Sequence, residues 1–328
     1  MRSTFIYLIR TTGVALTAVS LAMLPSIAVS VIYREYSITM DFCKIAPVAF
    51  LAGILLCKGS RHDFARLRIS DGLLMVTWGW IVAALAGAVP LVMSGYLASN
   101  IDAFFEACSG FTTTGATVFT DVESLPHSLL FWRSSMSWIG GISILLIAIA
   151  IFSSLGLCGQ SIVSTETEGP VLEQPTPRMI TLSRVLILFY VFFTVSEIVL
   201  LCLGGMGIFD SFIHSFGCVS TGGFSSYNDG VTDFSNYTKA VMSIFMFLCG
   251  INYNLYYQAF RRRHGAFAGD SELRLYIFFL LAPSILIFSE LYFRHYSDDA
   301  DTAAADSIFQ SVSMLTTSGY TTGNYMLW

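Results

Sequence analysis

Charge is what this sequence has least of. Asp, Glu, Lys and Arg make up 12% of its 328 residues, against about a quarter in a soluble domain. Lys and Arg are absent altogether from 95–127 and 206–236. The seven cysteines, Cys43, Cys57, Cys108, Cys158, Cys202, Cys218 and Cys249, are odd in number and scattered. They form no CxxC and no Cys/His pair, which excludes a disulfide frame or zinc site and leaves them as small buried hydrophobes. The Gly222-Gly223 pair lacks the Gly-Lys-Thr/Ser ending and flanking strand of a phosphate-cradling loop. An enzyme embedded in a bilayer would need intramembrane His, Asp or metal-ligand pairs. The one histidine inside a motif, His214, stands alone and reads as a helix-packing residue. No catalytic residue and no nucleic-acid partner are expected.

What is present is apolar: 55% of the chain, with a mean hydropathy of +0.68. Seven segments have spanning length or nearly so, at roughly 12–33, 42–58, 72–94, 128–155, 180–205, 237–260 and 275–293. Arg2, an apolar run and the small residues at Ala28-Val29-Ser30 have the look of a secretory signal. The run is too long for a signal core, however, and a second span follows at once, so a retained helix is predicted.

Three short stretches interrupt the spans. Each opens with an aspartate, continues with apolar residues at helical spacing, and ends in hydroxyl residues and a glycine. They are Asp102 to Gly115, Asp210 to Gly223 and Asp306 to Gly319, with the same offset of 13 residues each time. The glycines recur after 108 and then 96 residues. Small-residue helix packing would account for one such cluster; three at equal offset indicate an internal repeat. The predicted fold is an all-α polytopic membrane protein of potassium-channel-like units, each helix, pore helix, filter, helix. A two-helix hairpin at 1–70 precedes pore repeats at 71–160, 161–265 and 266–328.

The basic residues orient it. Lys58, Arg61, Arg66 and Arg68 follow the second span, Arg178 and Arg184 the fourth, and Arg261, Arg262, Arg263 and Arg274 the sixth. The motif-bearing connections are acidic, with Asp102, Glu106, Asp121, Glu123, Asp210, Asp229 and Asp233 in the first two. The third has Arg294 against Asp298, Asp299, Asp301 and Asp306. The positive-inside rule then puts the amino terminus in the cytoplasm and all three motifs at the outer face. There an acidic vestibule would concentrate cations.

The motif itself suits a dehydrated cation. Asp102, Asp210 and Asp306 are expected at or near helix starts, where they cap amides and favour the dipole. Each helix then points its negative end at the pore centre. The residues that follow are expected to run extended with carbonyls turned inward to replace an ion's water shell. Glycine tolerates the backbone angles required and brings no Cβ. The ion-binding set is Thr113, Thr114 and Gly115; Thr221, Gly222 and Gly223; and Thr317, Ser318 and Gly319.

The segments SGFTTTGAT (109–117), HSFGCVSTGGFSS (214–226) and MLTTSGYTT (314–322), with FWRSSMSWIGG (131–141), GPVLEQPTPRM (169–179) and LCGINYN (248–254), carry a family resemblance. Across essentially the whole chain it resembles the Trk/Ktr/HKT superfamily of potassium transporters, most closely the bacterial Trk-type uptake subunit. The resemblance implies potassium as the bound and transported ion, a place in the bacterial inner membrane, and a homodimer. It also implies a cytosolic nucleotide-binding regulatory subunit (TrkA-like) that gates the pore, and four repeats in one polypeptide. Glycine in every filter matches the potassium-selective members. The 328 residues stop after the third filter, so the third closing helix, the family's gating loop within it and the fourth repeat lie outside them. The chain is therefore expected to be a fragment, or to be completed by another chain. A non-conducting scaffold or regulatory subunit is the alternative reading.

Several single residues stand out. Gly141 and Gly250 read as close-packing points or hinges, with packing preferred. Asn252 and Asn254 fit either a pore lining or an interhelical hydrogen bond. Glu197, inside the fifth span, is expected in a structural pair or subunit contact. Arg133 reads as an interface anchor, Glu290 as a headgroup contact, and Arg261 to Arg263 as topology determinants.

Overall fold

The computed structural model describes residues 2–60, 67–154, 171–172, 177–260, 267, 269–293 and 299–323. Of the residues singled out above, Arg61, Arg66, Arg261, Arg262, Arg263, Arg294, Asp298 and Cys158 lie outside them, as does most of 169–176. The chain divides into two units. The first comprises Met1–Thr112, Thr117–Phe119 and Leu125–Ser183; the second comprises Thr113–Ala116, Thr120–Ser124 and Arg184–Trp328.

The first unit holds α1 (Arg2–Ile32), α2 (Tyr36–Gly59), α3 (Ile69–Met93), α4 (Asn100–Phe111) and α5 (His127–Ser154). A two-residue antiparallel pair, Leu67–Arg68 with Val171–Leu172, is its only strand pairing among the described residues. α1 and α2 form the predicted hairpin and pack through glycines. A Cβ on Gly13 would stand 2.8 Å from the Gly53 carbonyl, and one on Gly53 equally near that of Gly13. Such close approach is how helices associate without a hydrophobic driving force. The turn between them supplies Glu35, whose carboxylate accepts from His127 N at 2.7 Å and Ser128 N at 3.0 Å. It thereby satisfies orphan amides and the dipole of α5.

The second unit holds most of α6 (Pro177–Leu203), with α7 (Ile208–Val219), α8 (Asn236–Gly250), α9 (Tyr253–Phe260), α10 (Ser271–Phe293) and α11 (Ala300–Leu315). Among the described residues six helices are long and apolar enough to cross a membrane, those at α1, α2, α3, α5, α6 and α10. The outer faces are apolar as well: Leu55 is 69% exposed and Leu286 70%, which suits hydrocarbon and not water.

The predicted sixth span, 237–260, is corrected. It is two helices, α8 and α9, broken after Gly250, where Ile251 is extended with ψ 142°. The apolar pattern runs through the break and hides it. Gly250 is a packing point at this break, since a Cβ there would collide with the Tyr276 hydroxyl. In α5 the close approach belongs to Gly140, the neighbour of the expected Gly141: a Cβ on it would collide with the Phe111 carbonyl.

Candidate ion-filter site

Each motif folds as a helix followed by a turn, and the turn is the same three times. Thr112, Ser220 and Thr316 cap α4, α7 and α11, their amides reaching Cys108 O (2.9 Å), Phe216 O (3.1 Å) and Val312 O (2.9 Å). The next residue is left-handed in every case: Thr113 at φ 55°, Thr221 at 54° and Thr317 at 60°. Two residues later the glycine is left-handed too, Gly115 at φ 75°, Gly223 at 69° and Gly319 at 79°.

In α7 and α11 the hydrogen bonds define a Schellman closure. Thr221 N reaches Cys218 O at 3.1 Å and Gly222 N reaches Gly217 O at 2.9 Å. Thr317 N reaches Met314 O at 3.2 Å and Ser318 N reaches Ser313 O at 2.9 Å. Glycine ordinarily occupies the left-handed place of that motif. A β-branched residue there is a true outlier, held only where its surroundings over-determine it. The expectation of an extended run is therefore corrected: left-handed residues alternate with others, so successive carbonyls do not swing to opposite sides as in a strand. Sequence reasoning assigned the special backbone to the glycines and missed the threonines, because threonine normally disfavours it.

The three segments come together within the second unit. A Cβ on Gly115 would collide with the Gly222 carbonyl oxygen, and a Cβ on Gly223 with that of Ser318. The second segment thus lies between the other two, with glycine facing carbonyl at both joints. Around a Cβ placed on Gly319 there is nothing within 4 Å among the described residues. Burial follows this order: Gly222 and Ser318 are buried, whereas Thr114 and Gly319 are exposed. All nine predicted residues fall on this arrangement. Side-chain hydroxyls also bond locally, Ser318 Oγ lying 3.0 Å from Thr316 Oγ1.

The aspartates do other work than expected. Asp102 and Asp210 sit in the first turns of α4 and α7, but Ser99 Oγ is the cap of α4, accepting from Ile101 N at 3.1 Å. Asp306 is six residues into α11, whose N-cap is Asp299, so the expected helix start at Asp306 is corrected. Asp210 accepts from Ser226 Oγ at 2.8 Å and Tyr227 Oη at 3.2 Å. Asp306 pairs with Lys239 Nζ at 2.8 Å, both largely buried. The loops that follow the first two motifs are tied by Asn228, which donates to Asp121 Oδ1 at 2.9 Å and accepts from Val122 N at 2.7 Å. The Asn228 side chain holds the Asp121 carboxyl below its ordinary range.

Arg133 is not an interface anchor. It is 1% exposed, and its Nε donates to Glu106 Oε1 at 2.7 Å. Glu197 is fully buried with no hydrogen bond to either carboxylate oxygen among the described residues. It lies against Cys218 of α7, a structural pairing, and its full burial leaves no surface for a direct subunit contact. Asn252 donates to Glu272 Oε2 of α10 at 3.1 Å, the interhelical bond of the two readings. His214 packs as predicted, between Tyr227, Phe234 and Tyr320. Both its ring nitrogens also have polar partners.

Comparison with known proteins gives the chain a family. The family model described as TrkH, cation transport protein, matches residues 42–328. The Trk system potassium uptake protein TrkH of Salmonella typhimurium is 34% identical over 304 residues, 92% of this chain and 63% of that protein. The protein of the same name in Halomonas elongata is 32% identical over 327 residues, 98% and 67% of the two chains. The crystal structure of the potassium transporter TrkH from Vibrio parahaemolyticus matches with a TM-score of 0.88 at 30% identity. That match covers 99% of this chain and 67% of that one. The chain thus spans about two thirds of the length of these relatives.

Proposed function

This chain belongs to the TrkH family of cation transport proteins, and from that premise we propose that it carries potassium across a membrane through the filter segments at 113–115, 221–223 and 317–319. The observation that carries the reading is the threefold left-handed pair, threonine and glycine two residues apart, with the glycine of one segment packed on the carbonyl of the next. Backbone oxygens held in this way replace the water of a dehydrated cation, and their number and field decide which cation is preferred. Potassium is the ion bound and transported; nothing covalent happens to it, and no catalytic residue is needed.

The multi-pass chain sits in the inner membrane of a bacterium with its amino terminus cytoplasmic and its filters outward. The Lys and Arg distribution supports this orientation. A hairpin at 1–70 and repeats at 71–160, 161–265 and 266–328 are the functional division. A homodimer gated by a cytosolic nucleotide-binding subunit is the assembly that the family resemblance supports. A second reading, a non-conducting scaffold or regulatory subunit, draws on Gly319, which faces no described residue.

The test is growth of potassium-uptake-deficient cells at limiting potassium. The cells would express this chain, its Gly115→Ser variant, or the chain extended through any downstream reading frame. Rescue that the serine variant weakens supports the filter. Rescue by neither the chain nor its extended form, with insertion verified, favours the scaffold.

A further inference from the structure

A strained turn must be held at both ends, and the Schellman closure holds only its entrance. The exits show a second device. The fourth residue after each motif aspartate is polar and buried: Glu106, His214 and Gln310. Two residues past each filter glycine stands a hydroxyl residue: Thr117, Ser225 and Thr321. In the first repeat Thr117 Oγ1 donates to Glu106 Oε1 at 3.1 Å, and Val118 N donates to Oε2 at 3.0 Å. Arg133 completes the set. Its Nε donates to Glu106 at 2.7 Å and its Nη2 to Thr117 Oγ1 at 3.1 Å, while its guanidinium lies over Phe119.

In the second repeat His214 Nδ1 is 2.8 Å from Asp210 O, and Nε2 is 3.2 Å from Ser225 Oγ. A carbonyl has no proton to give, so Nδ1 carries it, and Nε2 accepts from the serine. In the third repeat the register is the same but the bond is missing. Gln310 is 4% exposed, and neither its Oε1 nor its Nε2 has a partner among the described residues. Thr321 is held from outside its own repeat, its carbonyl accepting from Val231 N at 3.0 Å.

We propose that Glu106, backed by Arg133, and His214 are positioning residues for cation discrimination, clamping the exits of the first and second filter segments, and that Gln310 has no such role. The proposal rests on the filter reading above. A carbonyl site selects among cations only while its oxygens stay in place. Releasing the chain two residues beyond Gly115 or Gly223 lets the strained turn relax, which blurs the preference without abolishing the fold.

The test uses the purified 328-residue chain in detergent. It measures the potassium and sodium concentrations that half-protect the chain from thermal unfolding. Thr117→Val and Ser225→Ala each remove one clamp hydroxyl while sparing the buried Glu106–Arg133 pair and the His214 ring. His214→Phe keeps the packing and loses Nε2, and His214→Gln restores an acceptor. The parent should prefer potassium. Thr117→Val, Ser225→Ala and His214→Phe should each cut that preference by about tenfold, a change of about 1.4 kcal/mol. His214→Gln should recover part of it, and Gln310→Leu should leave it unchanged. A parent with no preference for potassium overturns the filter reading and this inference with it. If the parent prefers potassium and the clamp variants retain that preference, only the clamp is overturned. Gln310→Leu as damaging as His214→Phe overturns the asymmetry between repeats.

Discussion

The Tyr320 hydroxyl donates to the Phe224 carbonyl at 2.9 Å, joining the residue after the third filter glycine to the residue after the second. Gly217 leaves room for it, since a Cβ there would collide with the hydroxyl. Ser313 Oγ in turn donates to the Tyr320 carbonyl at 2.8 Å. Tyr320→Phe keeps the ring but removes this hydrogen bond, an expected loss of about 0.5–1.5 kcal/mol. Thermal unfolding of the purified variant measures it; an unchanged midpoint would show that the bond contributes nothing.

The three filter glycines should differ in what a serine costs. All three bear positive φ, for which an L-residue loses about 1–2 kcal/mol. At Gly115 and Gly223 the new Cβ also displaces a neighbouring carbonyl, and overpacking adds about 1–3 kcal/mol. In this chain Gly115→Ser and Gly223→Ser should therefore destabilise more than Gly319→Ser. Equal unfolding midpoints for the three would contradict the order of the segments.

Lys239 and Asp306 form a pair in which neither side chain is more than 16% exposed. Truncating one partner of a buried pair costs about 3–5 kcal/mol because the other charge is stranded. Lys239→Met alone should be that damaging, whereas Lys239→Met with Asp306→Asn should recover most of the loss. A double variant no better than the single would mean that α8 and α11 do not depend on the pair.

The loop tie between Asn228 and Asp121 should respond to acid. The amide of Asn228 favours the carboxylate, so the folded-state pKa of Asp121 lies below its ordinary value of 3.8. The contribution is then complete above the unfolded-state pKa and is lost as pH falls through the depressed folded value. Hydrogen exchange at the Val122 amide, whose acceptor is Asn228 Oδ1, should quicken on acidification through that range. Asn228→Ala should abolish both the protection and its pH dependence. Protection that stays flat down to pH 2 would remove Asp121 from the tie.

Much of this was legible along the chain because it is periodic or local. Runs of apolar residues announce spans, and six of the seven expected spans are single helices long and apolar enough to cross a membrane, with α1 reaching well beyond its expected start. The constant offset from aspartate to glycine marks all three turn segments that the structure brings together. The break between α8 and α9 was not legible. Hydropathy does not change at Gly250, and only the extended backbone at Ile251 marks where the helix stops. Arg133 was misjudged for a similar reason. Position near a helix end suggests a headgroup anchor, while its partner Glu106 lies 27 residues away in another helix.

By itself the sequence determined the class of the protein, all but one of its spans, and where its three glycine-ended motifs fall. These depend on composition and on spacing between neighbours, which folding does not alter. Only the tertiary structure decided which residue carries which burden. It put threonine in the left-handed place expected of glycine and set glycine against carbonyl from one segment to the next. Among the described residues it bonded Glu106 and His214, but not Gln310, to the chain beyond the glycine. Contacts between residues about a hundred positions apart depend on how helices pack, and no local pattern records them.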